Sequence, residues 1–167
     1  MIITKATEKD LEAILSIVED ARRFLRDHGV NQWQDGYPNR ASFLEDIAEK
    51  RLYVVKTADT VSAVFALVDH EETYDVIYDG EWLNDRDYVA VHRIAVKEDL
   101  KGTGIARFIF DELKKKYGDI RVDTHEGNIN MRRCLLNNGF RYCGIIYLKR
   151  NSESDTKRLA YHYSDEY

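Results

Sequence analysis

The sequence predicts one α/β (α+β) domain, a mixed central sheet of about seven strands flanked by about four helices. Three observations carry that expectation. Strand-like and helix-like segments alternate in the order β-α-α-β-β-β-α-β-α-β-β, read from the spacing of apolar residues. The run Val89–Val96, VAVHRIAV, is almost continuously apolar, as a strand inside a sheet is. A glycine turn, KEDLKGTG, then joins that strand to a helical pattern, so a strand–helix–strand unit stands at the centre. The 167 residues fit a single domain spanning 1–167, and a chain of this size buries roughly 70% of its unfolded surface without staples.

Residues 1–5 (MIITK) read as a short strand. Thr7, with Asp10 three residues on, makes a box-like start for a helix. Its apolar face is Leu11, Ile14, Leu15, Val18, Ala21 and Leu25, and Gly29 ends it. VNQWQDGYP follows as a loop carrying turn residues and an exposed aromatic. Asn39 starts a shorter helix through Phe43, Leu44, Ile47 and Ala48. Residues 52–56 and 61–68 form a hairpin about a polar turn at Ala58–Asp59. Residues 69–88 are the anomaly, with eight acids and one arginine interleaved with Tyr74, Tyr78, Trp82 and Tyr88. Loops above about 12–15 residues inside compact domains are usually functional or disordered, and the aromatics argue against disorder. After the central strand and turn, Ile105, Phe108, Ile109 and Leu113 mark one face of a helix. A strand at 120–124 follows, then a helix from Asn128 through Met131, Cys134 and Leu135, closed by Gly139. Strands at 140–148 and 158–163, parted by a polar turn, complete the chain.

Composition excludes several classes. Net charge is −5 with Lys and Arg scattered, so there is no basic stripe for nucleic acid. Two cysteines, Cys134 and Cys143, make neither a disulfide framework nor a zinc pattern, and no metal is expected. A reducing compartment suits them. The opening MIITKATEKD lacks the apolar core of a secretory signal, and no apolar run approaches the ~20 residues of a membrane span. A soluble cytoplasmic protein with no membrane partner is the expectation.

The turn Lys101-Gly102-Thr103-Gly104-Ile105-Ala106 carries the chemistry. Glycines admit a ligand close to the backbone, and unpaired amides at a helix N-terminus favour anions, so together they suit a diphosphate. Taken alone, such a turn is also an ordinary strand-to-helix connection. An ATP P-loop fails because Ile105 and Ala106 stand where Lys and Ser/Thr are needed. A dinucleotide fingerprint fits Gly102 and Gly104, with Asp123 about 20 residues on. It meets Arg107 at its third position, and about a hundred residues precede it. The third reading is coenzyme A. KGTGIA resembles the Arg/Gln-x-x-Gly-x-Gly/Ala signature of GNAT-family N-acetyltransferases, with Lys101 in first place. Asn128 followed by Gly139-Phe140 resembles that family's second signature, and the element order matches over nearly the whole chain. The stretch DTHEGNINMRRCLLNNGFRYCGIIYL is similar to a bacterial subgroup.

The resemblance implies an acetyl-CoA-dependent acyltransferase with acetyl-CoA as cosubstrate. Residues Gly102, Thr103, Gly104, Ile105, Ala106 and Arg107 would bind its diphosphate. Ile94, Ala95 and Val96 would pair with the pantetheine arm, an N–H near Ile94 or Ala95 would serve as oxyanion donor, and Asn128 and Met131 would line the same site. The sequence departs from the family in having Leu135 where a tyrosine acid often stands.

Direct attack by an amine needs a base. His92, two residues before Ile94, leads the candidates, since an unperturbed imidazole titrates near 6.5. Asp123 with His125 is a second choice. Tyr147 stands in for the missing acid, while Cys143 without a partner reads as a small buried hydrophobe. Trp33 and Gln34 of the first loop, and Tyr78 and Trp82 of the acidic one, are candidates for acceptor binding, a negative aromatic mouth favouring a cationic amine. The acceptor is then a small-molecule or peptide amine, with dimers common in families of this kind. Two rivals stand beside the enzyme: an acyl-CoA-binding sensor on the same fold, which Leu135 keeps open, and an interaction protein using its exposed aromatics.

Overall fold

The computed structural model describes residues 1–149 and 155–167. Seven strands form one sheet: β1 (Ile2–Lys5), β2 (Leu52–Thr57), β3 (Thr60–Val68), β4 (Val89–Val96), β5 (Asp119–Thr124), β6 (Arg141–Tyr147) and β7 (Lys157–Ser164). Four α-helices join them: α1 (Leu11–Asp27), α2 (Arg40–Ala48), α3 (Ile105–Lys114) and α4 (Ile129–Asn137). Element order agrees with the sequence reading. The polar turn expected before the last strand falls largely on residues 150–154, outside the described residues.

Local signals set the helix starts. The Thr7 N–H donates to Asp10 Oδ2 at 2.9 Å across a 3₁₀ turn, and α1 begins at Leu11. Asn39 and Ser42 cap α2 reciprocally, at 3.0 and 2.8 Å. Strand order in the sheet is β1-β2-β3-β4-β5-β7-β6. All pairs are antiparallel except β4 and β5, whose connection through α3 is the central crossover.

Three cores cover the two faces. α3 and α4 bury Ile105, Ile109, Phe110, Leu113 and Leu135 against Val89, Val91, Ile120 and Val122. On the other face α1 and α2 bury Ile14, Val18 and Phe43 against Val54, Val64, Ala66 and Ala95. The rest of that face, over Ala90, Ile146 and Ala160, is covered by the 69–88 loop through Tyr74, Ile77, Trp82 and Tyr88. That loop contains a 3₁₀ turn at Glu72–Asp75 and bridges β6 through Tyr78 and Ile145, two hydrogen bonds of 2.8 Å each. An edge strand is thereby paired rather than left open. No helix among the described residues is long and apolar enough to cross a membrane.

Candidate active site

The sheet opens at its middle. β4 and β5 pair only at Val89–Ile120 and Ala90–Arg121, then part. Beyond Ala90 the strands diverge, and a cleft of about 1010 Å³ runs through the gap. Ile94, Ala95 and Val96 border it from β4, Asp123 and Thr124 from β5, and Asn128, Met131 and Cys134 from the α4 side. Thr124 is buried, and its Oγ1 has no hydrogen-bond partner among the described residues. An extended ligand chain can lie in such a gap as a strand would, using backbone groups that β5 leaves unused.

At one end lies the glycine turn. Gly102 and Gly104 have φ of +77° and +92°, a region closed to most side chains, and an added Cβ at either would meet nothing within 4 Å. The backbone therefore faces open space, followed at once by the unpaired first amides of α3. Gly102, Gly104, Ile105, Ala106 and Arg107 all border the cleft. Thr103 does not, and turns its hydroxyl back onto the Leu100 carbonyl at 2.6 Å. Lys101 rests its ammonium over the Phe24 ring, 4.1 Å from the centroid, so α1 holds it at the cleft wall. Asn128 caps α4 through the Met131 N–H at 3.3 Å, and its amide donates to Gln32 at 3.1 Å. Leu135 is fully buried against the α3 core, away from the cleft. Nothing acidic stands at that position.

At the other end sits a polar cluster. His92 Nε2 lies 3.3 Å from Glu71 Oε2. Burial alone would raise the Glu71 carboxyl, but the hydrogen bond and charge of His92, with Thr73, outweigh it and hold Glu71 at about 2. Tyr74 is buried beside His92 with ring centroids 6.0 Å apart, and its hydroxyl donates to Asp123 Oδ2 at 2.5 Å. Burial first, and the Asp123 charge second, push the Tyr74 phenol well above its ordinary range. His92, Glu71 and Asp123 all border the cleft.

The facing wall comes from the loop between α1 and α2. Trp33 and Tyr37 border the cleft. Arg22 fixes this loop by donating to the carbonyls of Trp33, at 2.8 Å, and Pro38. Gln34 is turned away, its amide bonded to the Arg22 and Gln32 carbonyls at 3.1 and 2.9 Å.

Several expected participants stand elsewhere. Tyr147 is 46% exposed and meets Tyr78 edge-on at 5.4 Å; neither borders the cleft. Trp82 donates to the Tyr74 carbonyl at 2.9 Å and covers Arg121 at 4.2 Å, so its ring is packing and not an acceptor wall. His125 is held by Asp155 at 2.7 Å and by the Gly127 N–H at 2.9 Å, and does not join Asp123. Cys143 is buried away from the cleft, and burial pushes its thiol up to about 11, which leaves it inert as a nucleophile.

Sequence reasoning missed Glu71, Tyr74, Arg93 and Asp46. Glu71 is one acid among eight in its loop, and no spacing singles it out. Arg93 has φ of +53° within β4, where the register against β3 shifts. A non-glycine residue at positive φ inside a strand leaves no mark in the sequence.

No protein-family model matches the chain, and no curated protein matches it. Solved structures do. A GNAT-family acetyltransferase from Streptococcus agalactiae is 35% identical, with 98% of this chain and 94% of that chain covered and a TM-score of 0.89. A GNAT-family acetyltransferase from Listeria monocytogenes is 19% identical over 98% of this chain and 94% of its own, with a TM-score of 0.68. A ribosomal-protein-alanine N-acetyltransferase from Brucella melitensis is 18% identical over 98% and 99%, with a TM-score of 0.63. At such identities the last two share the fold alone.

Proposed function

The chain belongs to the GNAT family of acetyltransferases, and from that premise we propose that it transfers an acetyl group from acetyl-CoA to a primary amine by direct attack in a ternary complex. One observation carries the reading. A single cleft joins a backbone anion cradle at Gly102–Arg107 to a histidine–carboxylate pair at His92 and Glu71, along the unpaired side of β4. The empty space over Gly102 and Gly104 fits a diphosphate, and the gap between β4 and β5 fits an extended arm. Acetyl-CoA supplies the activated acyl group and a good leaving thiol.

The residues divide the remaining work. Glu71 stays anionic and accepts a hydrogen bond from the Nε2–H of His92, which leaves Nδ1 to accept the proton of the attacking amine. A backbone N–H near Ile94 or Ala95 faces the acyl oxygen and opposes its developing charge. Asp123, held by Tyr74, adds negative charge that draws an ammonium into the mouth. Leu135 has no proton to give, so solvent supplies the one on the departing sulfur. Two fold neighbours are named for a ribosomal-protein alanine substrate, at 18% and 14% identity. Either a small molecule or a peptide amine suits the cleft. A second reading, a non-catalytic acyl-CoA sensor, draws on Leu135 alone.

Calorimetric titration with acetyl-CoA, followed by thiol release across a panel of amines, tests this directly. Binding with turnover of at least one amine is expected. His92→Gln should then lower kcat by roughly 10²–10⁴-fold with cofactor affinity retained. Binding without turnover of any amine supports the sensor, and absence of binding removes both readings.

A further inference from the structure

We propose that Asp46 is a positioning residue for the transfer: through Arg93 it fixes the β4 bulge, and so the backbone N–H groups that polarise the acetyl carbonyl. The proposal rests on the reading of the cleft as an acetyl-CoA site.

The side-chain order of β4 shows the bulge. Val89 and Val91 pack on the α3 and α4 face, and Ala90 on the opposite one. In an unbroken strand, period two would carry Arg93 and Ala95 onto the face of Val91. Instead Ala95 packs with α1 and α2, while Ile94 and Val96 pack against the α3 core. Register agrees, since Val64 faces Ala95 and Ala66 faces His92, so Phe65 alone stands opposite both Arg93 and Ile94. One extra residue has been inserted, which re-aims everything after it. The inversion occurs at Arg93, with φ of +53°.

Such a conformation is strained and persists only where its surroundings hold it. The holding group is Asp46. Arg93 Nε lies 2.7 Å from Asp46 Oδ2, and Nη2 donates to Oδ1 at 3.0 Å. Asp46 is 2% exposed and is itself fixed by Arg51 Nε at 2.6 Å. Arg93 Nη1 donates to the Tyr37 hydroxyl at 2.7 Å, which ties the acceptor-side loop to the same strand. A carboxylate on α2 thus fixes both the strand bordering the acyl group and the loop facing it. A short carboxylate at a buried helix position has no packing value, and burying it is favourable only with its cations in place.

Isotope-edited infrared spectroscopy of acetyl-CoA labelled with carbon-13 at the carbonyl reads the donors without an acceptor. In the wild-type complex the carbonyl band should sit below its position in free acetyl-CoA. Asp46→Asn should return most of that shift while acetyl-CoA affinity stays within about threefold, and kcat with a working amine should drop about tenfold or more. Arg51→Gln, which removes the other cation on Asp46 but leaves the Arg93 contact, should return less of the shift than Asp46→Asn. Should Asp46→Asn not fold, Arg93→Lys serves, since an ammonium cannot span Asp46 and Tyr37, and it too should lose the shift. A full shift in either variant, or a wild-type band at the free position, overturns the proposal. Failure of the wild type to bind acetyl-CoA is a separate result and removes the site reading itself.

Discussion

The turn at 97–104 and the loop at 69–88 border opposite ends of one cleft and are built in opposite ways. The turn is short and leaves its backbone bare: an added side chain at Gly102 or Gly104 would meet nothing within 4 Å. The loop is long and uses nearly everything it carries on itself and the sheet. A Cβ at Gly80 would lie 1.8 Å from the Cys143 carbonyl oxygen, and Arg121 is clamped between the rings of Trp82 at 4.2 Å and Tyr88 at 4.0 Å. Only the start of the loop, from His70 to Thr73, borders the cleft. A ligand cradle made of backbone must leave room, while a cover over a sheet face must fill it. Richness in aromatics and acids therefore marked a lid on the core more than a binding mouth.

Substitutions can break that contrast. The largest effect is expected from Gly80→Ala, because backbone stands where the methyl would go: at least about 3 kcal/mol of stability should be lost in urea unfolding. A loss under 1 kcal/mol would mean that the loop gives way easily and is no seal. Gly104→Val should do the reverse. Stability should fall by only about 1–2 kcal/mol from the positive φ, while acetyl-CoA affinity in calorimetry falls tenfold or more. Unchanged affinity would deny the turn its role.

The sealed side should also show itself in pH dependence. His162 is buried, accepts the Leu83 N–H on Nδ1 at 3.1 Å and meets Asp119 through Nε2 at 2.8 Å. Burial, the largest influence, pushes its pKa below 6.5 despite Asp119. The unfolded chain then binds the proton more readily than the folded one. Stability from this group is complete above about pH 6.5 and declines as pH falls through that value. Glu71, whose carboxyl falls from 4.5 to about 2 on folding, adds a separate decline between those values. Urea midpoints measured against pH should show the upper decline in the wild type and not in His162→Asn. The smallest effect belongs to Tyr147→Phe, which should change neither acetyl-CoA affinity nor turnover, because the ring lies outside the cleft. A loss of turnover would return that hydroxyl to the mechanism.

Much of the glycine-turn end of the cleft was legible because it depends on backbone. Special φ at Gly102 and Gly104, a cap at Asn128 and a stop at Gly139 each demand particular residues at fixed spacing. His92 was legible as a polar residue in an apolar strand. Its partner Glu71 was not, since a separation of 21 positions is bridged only when the loop folds across the sheet. The placement of Tyr147, Tyr78 and Gln34 outside the cleft was equally hidden, because it depends on which neighbour each side chain meets.

By itself, then, the sequence determined the elements, their order and the glycine turn, all of which follow from local periodicity and backbone preference. Tertiary structure decided that β7 enters between β5 and β6, that β4 and β5 part after two residue pairs, and that Arg93 turns under toward Asp46. The reason is physical: contacts between residues 47 positions apart cost chain entropy that only the assembled core repays, so no local pattern announces them.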